Sequence, residues 1–159
     1  MSAALRLLTH PGLGLAFRLV LSWVFLLAAW PKFTCPDAFS VSVAAYRIGP
    51  DALVNLAAVT LPWVELAAGL GLLIGWRVRA FALLHIGLEL FFMTLLAVAI
   101  SQGVTAESCG CEVPGFSEEF GWSTVGRDAL FLLLAVHVAV FDRDGHSVDG
   151  LLARARSAS

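Results

Sequence analysis

The sequence predicts an all-α integral membrane protein: a bundle of four transmembrane helices with both termini on the cytoplasmic side. Of its 159 residues, 59% are hydrophobic and 14% are charged, and the mean hydropathy is +0.86. Soluble domains carry about 25% charged residues, and a chain of this size leaves about a third of its unfolded surface exposed after folding. We therefore expect a lipid bilayer to surround much of the protein. No basic run of the kind that binds nucleic acid is present.

Four apolar segments have the length of membrane spans, which is about 20 residues for a helix. The predicted spans are residues 13–30, 53–74, 80–100 and 125–141. Helices are favoured over strands because the segments are long, rich in Leu and Ala, and lack alternation. A helix also satisfies its own backbone groups in lipid. We expect one transmembrane domain over residues 1–141 and a polar cytoplasmic tail over residues 142–159.

The orientation follows from the basic residues in the short connections, which favour the cytoplasm. Basic residues precede the first span, fill the turn between the second and third, and follow the fourth: Arg6, Arg77, Arg79, Arg143, Arg154 and Arg156. The connection over residues 101–124 has no Lys or Arg and is acidic, so it is expected to face outward. The first connection, residues 31–52, faces outward as well, although it carries Lys32 and Arg47.

The first outer connection contains a short amphipathic segment. Asp37 is predicted to cap a helix that Pro50 ends. Its apolar residues recur at helical spacing: Phe39, Val43, Ala44 and Tyr46. This segment is expected to lie on the outer surface of the bundle.

Three cysteines lie in the two outer connections, where disulfides persist in bacteria. Cys35 follows the first span, and Cys109 and Cys111 flank a glycine between the third and fourth spans. A C-x-C disulfide closes a small, strained ring, and strain makes a disulfide a better oxidant. The pattern predicts a redox-active pair, Cys109 and Cys111, with Cys35 as a relay or resolving thiol. A structural disulfide from Cys35 and a Cu(I) or Zn site are alternatives, although no nearby outer histidine completes the metal site.

Two basic residues accompany the cysteines. Arg127 opens the fourth span close to the cysteine connection, and Lys32 lies beside Cys35. A nearby cation stabilises a thiolate and raises its reactivity, so both are candidate catalytic residues. Asp128 has a simpler interpretation as a first-turn residue that favours the helix dipole.

Three further charges lie within the spans, where each costs about 2.5–3.5 kcal/mol and usually faces the bundle interior. Glu65 and Glu89 lie near the middle of their helices, and Arg18 lies about 8 Å from the cytoplasmic end of the first. The expected role of these charges is a buried ion pair that fixes helix packing. Arg18 is expected to reach either a carboxylate or the lipid headgroups. The functional alternative is a proton path or the polar part of a quinone site.

His85 and His137 lie at similar depth on adjacent spans. Two histidines so placed could hold a haem between helices of a bundle. The simpler interpretation is a pair of core or interfacial histidines.

The chain resembles the DoxX-like membrane proteins, and more closely their methylamine-utilisation branch, MauE, over about residues 17–141. The resemblance is carried by Arg18, Lys32, Pro36, Phe39, Tyr46, Pro50, the stretch Pro62-Trp63-Val64-Glu65-Leu66-Ala67-Ala68-Gly69, the motif Ser108-Cys109-Gly110-Cys111, and Arg127-Asp128. It implies a four-helix bundle in the bacterial inner membrane that helps disulfides form in an exported enzyme subunit, with a quinone as candidate electron acceptor. The branch commonly continues C-G-C-F-G, whereas Glu112 follows Cys111 here.

Together these observations predict thiol–disulfide exchange between the C-x-C pair and a periplasmic thiol protein. Two alternatives remain open at this point. One is a non-catalytic subunit of a larger membrane complex with a static disulfide, and the other is a haem or metal carrier.

Overall fold

The computed structural model describes residues 9–45, 50–101 and 122–142, and these form five α-helices with no strand. The helices are α1 (Pro11–Thr34), α2 (Pro36–Ala45), α3 (Asp51–Ile74), α4 (Val78–Ser101) and α5 (Trp122–Phe141). All except α2 are long and apolar enough to cross a membrane. The predicted all-α, multi-pass membrane fold is confirmed.

The helices begin earlier than the predicted spans, because hydropathy locates the apolar part of a helix and not its caps. Pro11 occupies the first turn of α1, where its missing N–H costs nothing. The N–H of Gly12 donates to Nδ1 of His10 at 3.2 Å, which caps the helix. At the other end α1 continues through Pro31, and the N–H of Cys35 donates to the Pro31 carbonyl at 2.8 Å.

The turn between α3 and α4 depends on glycine at two positions. Gly75 has a left-handed backbone with φ of 76°, and its N–H donates to the Gly71 carbonyl at 3.1 Å. A Cβ on Gly71 would lie 2.4 Å from the Phe81 ring. The turn is short, and α4 begins at Val78, so Arg79 lies in the helix and not in the turn where the sequence predicted it.

The four long helices form a closed ring, in which α1 packs against α3 and α5, and α4 packs against the same two helices. Neighbours run antiparallel. On α1 and α3, Ser22 meets Gly69, while Phe33 stacks edge-on against Trp63 with ring centroids 5.0 Å apart. The fully buried apolar cluster is formed by Leu21, Leu72, Val78, Ala82, Ala135 and Val138.

The outer faces of the long helices carry exposed large apolar residues, as expected of a surface in lipid. Trp30, Trp63 and Trp122 are exposed and lie towards the end of the bundle where α1 ends. Aromatic rings favour the boundary between lipid and water.

The short helix α2 packs against α3 and α1, and its Val43 is buried. The predicted cap is wrong by two positions, because the helix begins at Pro36 and Cys35 precedes it as the N-cap residue. Asp37 therefore lies in the first turn, where a carboxylate still favours the helix dipole. The N–H of Phe39 donates to the Cys35 carbonyl at 3.1 Å, which ties α2 to the end of α1. Tyr46 lies outside the described residues.

Candidate functional site

One face of α1 organises the polar interior of the bundle. Its buried residues recur every three or four positions, which places them on a single stripe: Gly14, Arg18, Leu21, Ser22, Phe25 and Ala29. Lys32 continues the stripe by one turn. Arg18 and Lys32 thus lie about 21 Å apart along the same face, and each faces a different carboxylate, Asp142 for Arg18 and Glu65 for Lys32.

Lys32 forms an ion pair near the end of α1, one turn before Cys35. Its Nζ donates to Oε1 of Glu65 at 2.5 Å, with side-chain exposures of 18% and 2%. The ammonium also lies 5.2 Å from the ring centroid of Phe39 and 5.4 Å from that of Phe92. Cations are attracted to aromatic faces at such distances. Lys32 therefore connects α1 with α2, α3 and α4 through a single charged group.

Glu65 is presented to Lys32 by the packing of α3 on α1. The Ser22 hydroxyl donates to the Gly69 carbonyl at 2.7 Å. A Cβ on Gly69 would lie 3.0 Å from Cγ of Leu26 and 3.2 Å from the Ser22 carbonyl oxygen. Glycine at this position thus permits close approach of the two helices, one turn from Glu65 on the same face.

Of the three cysteines singled out in the sequence, Cys35 alone lies within the described residues. Cys35 follows α1, is half-buried and forms no disulfide with another described residue. Cys109 and Cys111 lie outside the described residues. The segment that carries them joins the end of α4 at Ser101 to the start of α5 at Trp122. Because neighbouring helices are antiparallel, that segment is attached at the end of the bundle where α1 gives way to Cys35.

In the described part of the chain, the contacts of Lys32 and Arg127, the two cations predicted to activate a thiol, are with carboxylates and aromatic rings and not with a cysteine sulfur. The Lys32 ammonium contacts Glu65 and is largely neutralised by it. Arg127 donates from Nε and Nη2 to Oδ1 of Asp128, both at 3.1 Å. Asp128 lies beyond the first turn of α5 and is buried, so its interpretation as a first-turn residue is wrong. Proximity of Arg127 to Cys109 or Cys111 stays a prediction.

The second intramembrane carboxylate, Glu89, faces a histidine on its own helix. Nε2 of His85 lies 3.5 Å from Oε1 of Glu89, one turn further along α4. The imidazole is fully buried and stacks on the Phe25 ring, with centroids 3.6 Å apart and planes inclined by 27°. Sequence analysis singled out both residues but not their pairing, although spacing of four on a helix puts side chains side by side.

Arg18 reaches a carboxylate, but not one within a span. Its Nη1 lies 3.5 Å from Oδ2 of Asp142, and both side chains are buried. Asp142 follows α5 and was assigned to the polar tail. A Cβ on Gly14 would lie 3.3 Å from this carboxylate, so Gly14 leaves space for it.

His85 and His137 contact different rings of α1. His137 packs edge-on against Phe17 at 4.9 Å, whereas His85 stacks on Phe25. These two phenylalanines are about 12 Å apart along the helix. No contact supports the haem interpretation, and the described ranges contain no group of three or more His, Cys, Asp or Glu placed to hold a metal.

Comparison with known proteins gives a consistent result. A family model described as methylamine utilisation protein MauE matches residues 11–141. Curated proteins named methylamine utilization protein MauE are similar to the chain. The protein from Methylorubrum extorquens is 32% identical, covering 84% of this chain and 72% of its own length. That from Paracoccus denitrificans is 30% identical, covering 83% and 71%.

A third relative, from Methylophilus methylotrophus, is 30% identical and covers 96% of this chain and 82% of its own length. No solved structure matches the chain significantly. The stretch that holds Glu65 and Gly69 in place, and both partners of the Lys32–Glu65 pair, lie within the matched residues. The chain therefore belongs to the MauE family of methylamine utilisation proteins.

Proposed function

We propose that the chain is an accessory membrane protein of methylamine utilisation that exchanges disulfides with an exported thiol protein. Cys109 and Cys111 form the exchanging pair, and Cys35 acts as a relay or resolving thiol. The physiological setting is taken from the names of the relatives. The supporting observation is that α1, α4 and α5 bring the connections containing all three cysteines to one end of the bundle.

The exchange needs no group beyond the thiols themselves. A thiolate of the reduced partner attacks one sulfur of the Cys109–Cys111 disulfide, whose S–S bond breaks to give a mixed disulfide and one Cys thiolate. The second partner thiolate attacks the mixed disulfide and releases the other cysteine. The partner gains a disulfide and loses two electrons, and the C-x-C pair gains both electrons and two protons.

The described residues give Cys35 a defined position. Its N–H and carbonyl are both engaged, by Pro31 and Phe39 respectively, so the cysteine forms a tight joint between α1 and α2. The Phe39 ring lies against the ammonium of Lys32, which is anchored on Glu65. A relay thiol benefits from such a rigid support, because exchange requires three sulfur atoms in line.

Re-forming the C-x-C disulfide requires an electron acceptor, for which the family resemblance implies a quinone. The candidate residues for its headgroup are Arg18, Glu65 and Glu89. Arg18 and Glu65 each face an oppositely charged side chain, and Glu89 faces the imidazole of His85 in the core. None of them lines the open apolar groove beside α4, which is bordered by Leu90, Met93, Thr94, Ala97, Val98, Ser101 and Val125. These three residues do not fit a headgroup site, and no step through a quinone is derived.

The proposal places the protein in the bacterial inner membrane with its cysteine end in the periplasm. Two features support this orientation. The opposite end of the bundle carries Arg77 in the turn and Arg79 at the start of α4, and basic residues there favour the cytoplasm. The periplasm is also the bacterial compartment in which disulfides persist.

Trapping of the mixed disulfide tests this function. Exchange is reversible, so in the variant Cys111→Ser the Cys109 thiolate can attack the disulfide of an oxidised partner and form a mixed disulfide. Without the Cys111 thiol to displace the partner, this adduct should accumulate during methylamine-dependent growth. The matched control is the double variant C109S/C111S. A reductant-sensitive adduct on the single variant alone, together with reduced cysteines in an exported protein, is the expected result. If no adduct forms and exported disulfides are unchanged in both variants, the proposal is rejected.

A further inference from the structure

Among the described residues, one buried carboxylate lacks an Arg or Lys partner. Three basic side chains each face one carboxylate: Lys32 with Glu65, Arg18 with Asp142, and Arg127 with Asp128. Glu89 is the remaining carboxylate among the buried groups of the described ranges. The ionisable side chain next to it is His85, which carries a positive charge only when it is protonated.

The surroundings of Glu89 offer little solvation for a negative charge. The residue is 6% exposed and His85 is 0% exposed. One face of the imidazole is covered by the Phe25 ring. Neither Nδ1 nor Nε2 of His85 makes a hydrogen bond of normal length to another described residue. An ionised carboxylate beside a neutral imidazole would thus lie in a largely apolar core without a counter-charge.

Such a state is costly, because an unpaired buried ion loses several kcal/mol of solvation that the protein does not replace. A buried carboxylate avoids that cost by binding a proton or by facing a group that has bound one. We propose that His85 and Glu89 form an intramembrane proton-binding site, which holds one proton shared between the imidazole and the carboxylate. The imidazolium–carboxylate and imidazole–carboxylic acid forms have the same net charge, and both satisfy the requirement.

The site lies close to the cysteine-end ion pair. Phe92 is one turn from Glu89 on α4, and its ring lies 5.4 Å from the Lys32 ammonium. Within their membrane spans, the neighbouring helices carry these other titratable and charged groups: Arg18 and Lys32 on α1, Glu65 on α3, and Arg127, Asp128 and His137 on α5. All the charges among them are neutralised within their own pairs, so the proton is assigned to His85 and Glu89. This assignment does not depend on the cysteine chemistry.

Spectroscopy of the whole protein in lipid nanodiscs tests the site at neutral pH. Nitrogen-15 NMR reports whether one or both imidazole nitrogens of His85 carry a proton, and infrared spectroscopy reports the C=O stretch of a protonated carboxylic acid. The triple variant H10Q/H137Q/H146Q leaves His85 as the single histidine. It assigns the NMR signal without changing the proposed pair.

The expected result is one proton on the pair, seen either as an imidazolium signal or as a carboxylic acid band. In Glu89→Gln the imidazolium signal should become that of neutral imidazole, or the acid band should disappear. A neutral His85 together with the absence of any carboxylic acid band in the unmodified protein overturns the proposal. That observation requires no variant of the pair to fold.

Discussion

The ammonium of Lys32 and the carboxylate of Glu65 form a buried ion pair that joins the last turns of α1 to the middle of α3. The same ammonium contacts Phe39 and Phe92, so a single charge links four helices. Cys35 follows Lys32 by one helical turn. The pair therefore fixes the end of the bundle at which the cysteine-bearing connections are attached.

Removing Lys32 should destabilise the bundle strongly. The variant Lys32→Met removes the ammonium that faces the buried Glu65 carboxylate, and loss of one partner from a buried pair costs about 3–5 kcal/mol. The double variant K32M/E65L removes both charges, so its free energy of unfolding should fall considerably less than that of K32M. Thermal unfolding in nanodiscs measures both.

A control for this comparison is Arg127→Met. The side chains of Arg127 and Asp128 are 34% and 12% exposed, compared with 18% and 2% for Lys32 and Glu65, so water screens this pair more and its loss should cost less than the loss of Lys32. If K32M unfolds no earlier than R127M, or if the double variant is less stable than K32M, the Lys32–Glu65 pair does not have the structural role described.

Gly71 should not tolerate a side chain. A Cβ there would overlap the Phe81 ring, including Cγ at the base of the ring, so rotation of the ring about its own axis would not relieve the clash. Overpacking typically costs about 1–3 kcal/mol, so Gly71→Ala should lower the unfolding temperature. The second change Phe81→Leu should restore part of the loss.

The matched control is Gly87→Ala on α4, where a Cβ would meet no atom within 4 Å. Alanine is favoured over glycine within a helix by about 0.5–1 kcal/mol. G87A should therefore be neutral or stabilising. Equal effects of G71A and G87A would show that the contact with Phe81 is unimportant.

The pair between Arg18 and Asp142 should make the first residue after α5 part of the folded bundle. Asp142→Asn removes the negative charge from a site where both side chains are buried, which leaves Arg18 without its carboxylate. We expect a loss of about 3 kcal/mol. Unfolding of D142N, compared with the double variant R18M/D142L, provides the measurement. A D142N variant as stable as the unmodified protein would contradict this role.

Much of the architecture could be predicted from the sequence because its determinants are local. The length and apolarity of each span are properties of consecutive residues, and so is the amphipathic spacing of α2. The observed ends of α1 differ from the predicted ends of its span, because capping by His10 and continuation through Pro31 depend on individual side chains and not on mean hydropathy.

The sequence allowed us to identify most of the charged residues in the bundle interior, but not which of them contact each other. Lys32 and Glu65 were both singled out, yet their contact depends on how α1 and α3 are aligned, which the close approach at Gly69 determines. Asp142 was missed because a charged residue after an apolar segment is normally solvated. The contact between His85 and Glu89 was within reach, since both lie on one helix with a spacing of four.

The account depends most directly on which side of the membrane the cysteine end occupies. Three single-cysteine variants, retaining Cys35, Cys109 or Cys111, can be reduced and treated with a membrane-impermeant maleimide in spheroplasts and in inverted vesicles. We predict that Cys109 and Cys111 react in spheroplasts and are protected in inverted vesicles, with half-buried Cys35 reacting more slowly on the same side. Reaction in inverted vesicles alone would contradict the proposed orientation and, with it, exchange with an exported partner.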